Sequence, residues 1–316
     1  HLDAPDNNMS RCAFEGWITV DQAKSIFSNA GMADYNFTAE ARNPEFEAFS
    51  LNQSINVSFE NAIEKSASKN VVGVIKGSEK HDEVIIYYGH WDHLGIGDPV
   101  AGDSIFNGAI DNASGIGSIL DIARRFKAGD TPKRSVMFLA VTAEEQGLLG
   151  SAYYSANPIF DPAKSVANLN IDAMSALGPM KDFMIMGYGQ SELEELAAKY
   201  AEKQGRYVLP DQNPGAGIFF RSDHFNFAKI GIPALFAKGG YEHIEKGKEW
   251  TAERNAYFRA NDYHQPSDEV TDDWDVGGIV QDTDLLFDMG KELANDVNAW
   301  PKWKEGSEFK AVREKQ

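Results

Sequence analysis

The chain has 316 residues and carries 48 aspartates and glutamates against 30 lysines and arginines, a formal charge of −18. That balance argues against nucleic acid and an anionic membrane surface as partners, since both need clustered cations, and no apolar run approaches the ~18 residues of a membrane-spanning helix. A single cysteine, Cys12, rules out an internal disulfide framework and a cysteine-based zinc site.

The chain opens on His1 with no signal-like apolar segment behind it, so it reads as a trimmed product of an exported precursor, periplasmic or secreted. Residues 1–47 read as a segment distinct from the rest. Thr19 can cap a helix with Val20, Ala23, Ile26 and Phe27 on its apolar side, closed by Gly31. Asn43-Pro44 marks a turn. Phe46 to Phe59 alternates loosely with period 2, which predicts a long, half-exposed strand. Residues 48–316 are expected to form one large domain. Val71–Ile75 and Val84–Tyr88 flank a polar turn and predict a hairpin. Val84–Tyr88 is apolar at every position, as a central covered strand would be. Ile116, Ile119, Leu120, Ala123 and Phe126 have helical spacing, and Val136–Val141 is another buried strand. Ser191 with Glu194 forms a capping box at the start of a further helix. Ala234–Ala237 reads as a strand and Val276–Phe287 as a long helix. Strands alternating with helices predict an α/β fold: a mixed, mainly parallel central sheet with helices on both faces.

In such sheets ligands bind beyond the carboxyl ends of the strands. The strand exits here are rich in metal-binding side chains. Val84–Tyr88 runs into Gly89-His90-Trp91-Asp92-His93, Val136–Val141 into Thr142-Ala143-Glu144-Glu145, and Val166–Ile171 into Asp172. Gly108-Ala109-Ile110-Asp111-Asn112 leads into a helix, and Tyr263-His264 opens a later loop. So many carboxylates repel one another unless a cation holds them. Histidine and carboxylate donors without cysteine suit zinc or a similar divalent ion. One ion could use part of the set. Two ions could use His90, Asp111, Glu145, Asp172 and His264, with Asp111 bridging.

These segments, with Glu144–Ser151, Asn170-Ile171-Asp172, Ser222-Asp223-His224-Phe225 and Tyr263–Asp268, stand in the order seen in the di-zinc exopeptidase family. That family includes bacterial leucyl-type aminopeptidases, glutamate carboxypeptidase, the transferrin receptor and glutaminyl cyclase. The resemblance covers roughly residues 70–290. It implies the zinc exopeptidase fold and two Zn2+ per chain. It places His90 and Asp172 on one ion, Glu145 and His264 on the other, and Asp111 between them. Asp92 resembles the carboxylate that orients His90, and strand spacing supports this, because positions i and i+2 point the same way. Glu144 resembles the general base, which takes a proton from metal-activated water and passes it to the leaving amine. Gly16-Trp17-Ile18-Thr19 and the helix after it look like the tail of a protease-associated insert.

The activity expected from this resemblance is that of an aminopeptidase acting on peptides. The negative field attracts a free amine and disfavours a free carboxylate. Arg221 could reverse that preference, which leaves a glutamate-type carboxypeptidase as the nearest alternative. A glutaminyl cyclase would use one zinc, and a receptor-like interaction protein would have damaged ligand motifs. Asp223, His224 and Arg221 are expected to line or shape the substrate pocket. His93 is expected to be a structural histidine hydrogen-bonded near the site, and His81 and His243 to lie on the surface.

Overall fold

The structure, a computed structural model, describes every residue except 4, 5, 7, 13 and 61. It divides into two compact units, Asp3–Ala67 and Ser68–Gln316, with His1 and Leu2 counted in the second. Among the described residues no helix is long and apolar enough to cross a membrane.

The smaller unit holds two helices, α1 (Val20–Asn29) and α2 (Phe37–Glu40). Thr19 caps α1 as expected, its hydroxyl oxygen accepting the N–H of Gln22 at 3.2 Å. Phe27 stacks on Tyr35 and Phe37 at 4.9 and 5.3 Å between ring centres. The strand expected over 46–59 does not form, and Ile55 and Phe59 are exposed. Alternation makes a strand only where a neighbour accepts its backbone hydrogen bonds, and the described residues of this unit supply none.

The larger unit contains the strands β1 (Val71–Ile75), β2 (Lys80–His90), β3 (Gly95–Val100), β4 (Asp103–Phe106), β5 (Arg134–Val141), β6 (Ser165–Asn170), β7 (Asp182–Met186), β8 (Tyr207–Pro210) and β9 (Ala234–Lys238). Its helices include α3 (Ser114–Ala128), α4 (Leu149–Ala156), α5 (Leu193–Lys203), α6 (His224–Lys229), α7 (Gly247–Asn261) and α8 (Gly277–Asn295). One sheet runs in the order β1-β5-β2-β6-β9-β7-β8, and β3 pairs with β4 in a separate hairpin. The pairs β2/β5, β2/β6, β6/β9 and β7/β8 are parallel, while β1/β5 and β7/β9 are antiparallel. This is the mixed, mainly parallel sheet the sequence implies. Ile85 and Tyr87 of β2 face α3, α5 and α8, while Val84, Ile86 and Tyr88 face α4 and α6. Both faces are covered, which is why every position from 84 to 88 is apolar. Leu120, assigned to the apolar side of α3, is exposed, and Ile122 takes a core position instead.

The expected β1–β2 hairpin is replaced by a crossing. β5 lies between the two strands, antiparallel to β1 and parallel to β2. The connection hugs the start of β5: Ser78 N–H donates to Pro132 O, and the N–H groups of Glu79 and Lys80 donate to Lys133 O. A Cβ on Gly77 would lie 2.5 Å from backbone atoms of Lys133 and Arg134, so only glycine fits there. A six-residue polar spacer suits a hairpin locally; pairing with a strand some sixty residues further on decides otherwise. Because β2, β5 and β6 are mutually parallel, their carboxyl ends open on one edge of the sheet.

Candidate metal centre

His90 is the last residue of β2, Glu144 and Glu145 follow β5, and Asp172 follows β6. Asp111 lies in the short turn at the start of α3, and His264 lies just beyond α7. The Asp111 turn is tied to the His264 loop through Asp268, whose carboxylate accepts the N–H groups of Ile110 and Asp111 at 2.8 and 3.1 Å.

The structure brings the five expected ligands, His90, Asp111, Glu145, Asp172 and His264, together. His90 Nε2 is 3.0 Å from Asp111 Oδ1 and 3.4 Å from Asp172 Oδ1. His264 Nε2 is 3.1 Å from Glu145 Oε2 and 3.4 Å from Asp111 Oδ2. Asp111 therefore turns one oxygen to each histidine. Donor atoms of His90, Asp111 and Asp172 lie within 4.8 Å of one another, as do those of His90, Glu144 and Glu145 and those of His93, Asp111 and Glu145. His90 Nε2, His264 Nε2 and Glu145 Oε1 are buried and make no hydrogen bond among the described residues. Buried polar atoms without partners call for an explanation, and hard and borderline donors gathered in such groups fit divalent cations such as zinc.

Three residues at or beside this centre, Ala143 (φ 54°), Ala173 (φ 49°) and His264 (φ 59°), hold left-handed backbone conformations without being glycine. Each costs about 1–3 kcal/mol, a cost found where geometry is fixed for function. The backbone around Asp172 is anchored at nearly every polar atom. Asn112 Nδ2 donates to Ile171 O at 3.0 Å, and Asn112 Oδ1 accepts the N–H of Ala173 at 3.1 Å. Lys238 Nζ donates to Asp172 O at 2.9 Å and to Ala173 O at 2.5 Å, and Met174 N–H donates to Ser114 Oγ at 3.0 Å. The Asp172 carboxylate accepts the hydroxyl of Ser222 at 2.7 Å, and Ser222 accepts from Asn170 Nδ2 at 2.7 Å.

The carboxylates are driven apart electrostatically. Burial, followed by the charge of Asp172, pushes Glu144 up to about 9. Burial also acts to raise Glu145, but the imidazoles of His264 and His93 overcome it and hold it down at about 2. Asp172 is held well below the usual carboxylate range, with His90 and Lys238 outweighing its burial. Asp111 and Glu145 lift His264 to about 10.

Of the remaining expected residues, Asp92 sits beside the centre, its carboxylate Oδ1 3.8 Å from His90 Nδ1. Its backbone oxygen, 3.0 Å away, faces His90 Nδ1, and its carboxylate accepts the N–H groups of Glu144 and Glu145. Asp223 and His224 are buried. Asp223 accepts the Ser151 hydroxyl at 2.5 Å and is pushed up to about 7 by burial. His224 lies among Phe219 and Phe236 and is lowered to about 3 by burial. Arg221 is exposed. His243, expected on the surface, is buried, its Nδ1 accepting the N–H groups of Glu245 and Lys246. Sequence reasoning missed Asn112, Lys238, Ser222 and Asp268, because their partners are backbone atoms or carboxylates far away in the chain. It also missed Tyr263, whose ring stacks on His264 at 3.9 Å and whose phenol is raised by burial and by the Asp111 and Glu145 charges.

Residues 70–287 match peptidase family M28. A probable glutamate carboxypeptidase of Arabidopsis thaliana is 33% identical over 37% of this chain and 16% of its own length. A probable leucine aminopeptidase of Aspergillus oryzae is 29% identical over 76% of this chain and 47% of its own length. The chain thus spans less than half the length of these curated relatives. Among solved structures, a zinc aminopeptidase from Bacillus subtilis superposes with a TM-score of 0.53 at 24% identity, covering 73% of this chain and 51% of that one. The family match takes in the whole sheet and every candidate ligand: the chain belongs to peptidase family M28.

Proposed function

We propose that this chain carries a two-zinc exopeptidase centre and acts as an aminopeptidase, removing N-terminal residues from peptides. The observation that carries the reading is Asp111, with Oδ1 turned to His90 and Oδ2 turned to His264. That is the disposition of a carboxylate shared by two ions. His90 and Asp172 would hold one ion, and Glu145 and His264 the other. When bound, the ions supply a water of lowered pKa and polarise the scissile carbonyl.

The chain's own residues do the rest. Glu144 is the proton carrier: it follows β5 directly before Glu145 and takes no ligand role in this reading. It takes the proton from water and delivers it to the leaving amine. Asp92 grips the amides of both glutamates, so that Glu145 stays on the ligand side while Glu144 stays free for proton transfer. In the same reading, Gly16–Thr19 and α1 belong to the tail of a protease-associated insert.

The excess of acidic residues favours a substrate with a free ammonium group. Arg221 supports a second reading, carboxypeptidase action. It is exposed and directly precedes Ser222, which donates to Asp172. The test pairs chromogenic aminoacyl amides with dipeptides bearing a free carboxylate, before and after chelation. Amide turnover that vanishes on chelation and returns with zinc is the expected result. Turnover of the dipeptides alone would establish the carboxypeptidase, and cyclisation of N-terminal glutamine with one zinc per chain would establish a cyclase.

A further inference from the structure

His93 was expected to play a structural part, and its surroundings argue otherwise. Its Nδ1 lies 2.8 Å from Glu145 Oε1, yet among the described residues neither ring nitrogen of His93, nor that oxygen, makes a hydrogen bond. The two atoms are close without the N–H direction that would join them. His90 Nε2 and His264 Nε2 show the same signature, near carboxylate oxygens and unpaired. His243, a histidine with a structural task, looks different: its Nδ1 accepts two backbone N–H groups. Three imidazoles thus share a geometry that a proton does not satisfy and bound cations would.

The ring packs against the turn that leads to Asp111. Gly108 holds a left-handed φ of 65°, and a Cβ there would lie 2.4 Å from Asp111 O and 2.6 Å from His93 Cγ, so glycine serves the turn and leaves space for the imidazole. The His93 side chain is 7% exposed, against 32% for His264. Glu145 divides its oxygens between the two rings, Oε1 to His93 and Oε2 to His264.

We infer that His93, through Nδ1, is a further protein ligand of the ion held by Glu145 and His264. This rests on the two-ion reading above and extends it. The centre becomes unequal: His93, Glu145, His264 and Asp111 on one side, His90, Asp172 and Asp111 on the other. The four-ligand side is the tighter and fills first. The three-ligand side keeps an open position, as sites that bind and activate a substrate do.

The test is a zinc titration of the full chain against a chromophoric chelator, with X-ray absorption of the one-zinc form. Wild-type protein should bind two ions in separate steps, with two imidazoles on the first. His93→Gln should weaken the first step about 10–100-fold, leave the second unchanged and remove one imidazole from the first ion. Unchanged affinities and an unchanged imidazole count would overturn the assignment. If His93→Gln fails to fold, the wild-type imidazole count decides alone: two supports the inference and one refutes it. A wild-type chain that takes up no second zinc ends the two-ion reading, separately from the count on the ion that does bind.

Discussion

The carboxylate of Asp92 accepts the backbone N–H of Glu144 at 3.1 Å, and its other oxygen accepts that of Glu145 at 3.3 Å. One side chain from the end of β2 thereby sets the exit of β5, and with it both glutamates of the centre.

Asp92→Asn replaces one acceptor oxygen with an N–H2 group facing a backbone donor. Stability should fall by about 1–3 kcal/mol, read as a shift in the urea midpoint. Turnover should fall about 10–100-fold, as for other residues that orient metal ligands. Steady-state kinetics at full zinc loading checks this.

Glu144→Gln keeps the shape of the side chain and removes its proton-carrying function. Zinc content should stay at the wild-type value, and kcat should fall ~10²–10⁴-fold. Metal analysis beside kinetics separates the two effects, and near-normal turnover would mean that another group carries the proton.

His224 gives a pH dependence whose sign is fixed by burial. Its value is about 3 when folded, against 6.5 in a free histidine. Between those values the unfolded chain binds the extra proton, so the stability it contributes is complete above pH 6.5 and is lost as pH falls toward 3. The slope from one such group is at most about 1.4 kcal/mol per pH unit. His224→Phe, in a cage already made of Phe219 and Phe236, should remove this part of the acid sensitivity. Urea unfolding of chelated wild type and variant from pH 7 to pH 4.5 gives the comparison.

Gly77→Ala tests the crossing between β1 and β2. The new methyl would meet backbone of Lys133 and Arg134 at 2.5 Å, and overpacking of that kind costs about 1–3 kcal/mol. A hairpin at this place would tolerate alanine, so an unchanged denaturation midpoint would contradict the crossing.

Much of the site is legible in the sequence, because parallel strands deliver their exits to one edge. Once β2, β5 and β6 are recognised as covered strands, His90, Glu145 and Asp172 must be near one another. What escapes is whatever depends on contacts distant in sequence. The place of β5 between β1 and β2 is a pairing choice that a short spacer does not reveal. The alternation over 46–59 has the pattern of a strand but lacks a partner. His93 stands three residues after His90, a spacing that leaves its direction to the path of the loop and to the space above Gly108. Lys238 looks like the polar end of a strand, and only the fold shows its ammonium group on the carbonyls of Asp172 and Ala173.

The anchoring of residues 171–174 has a kinetic consequence. Asn112, Lys238 and Ser114 hold that stretch by bonds that involve no ion. Stripping the metal therefore leaves the polypeptide path where it is, and reloading has no conformational search to wait for. Recovery should follow the binding steps alone, each with a rate that rises in proportion to the zinc supplied, limited by arrival and dehydration of the ion.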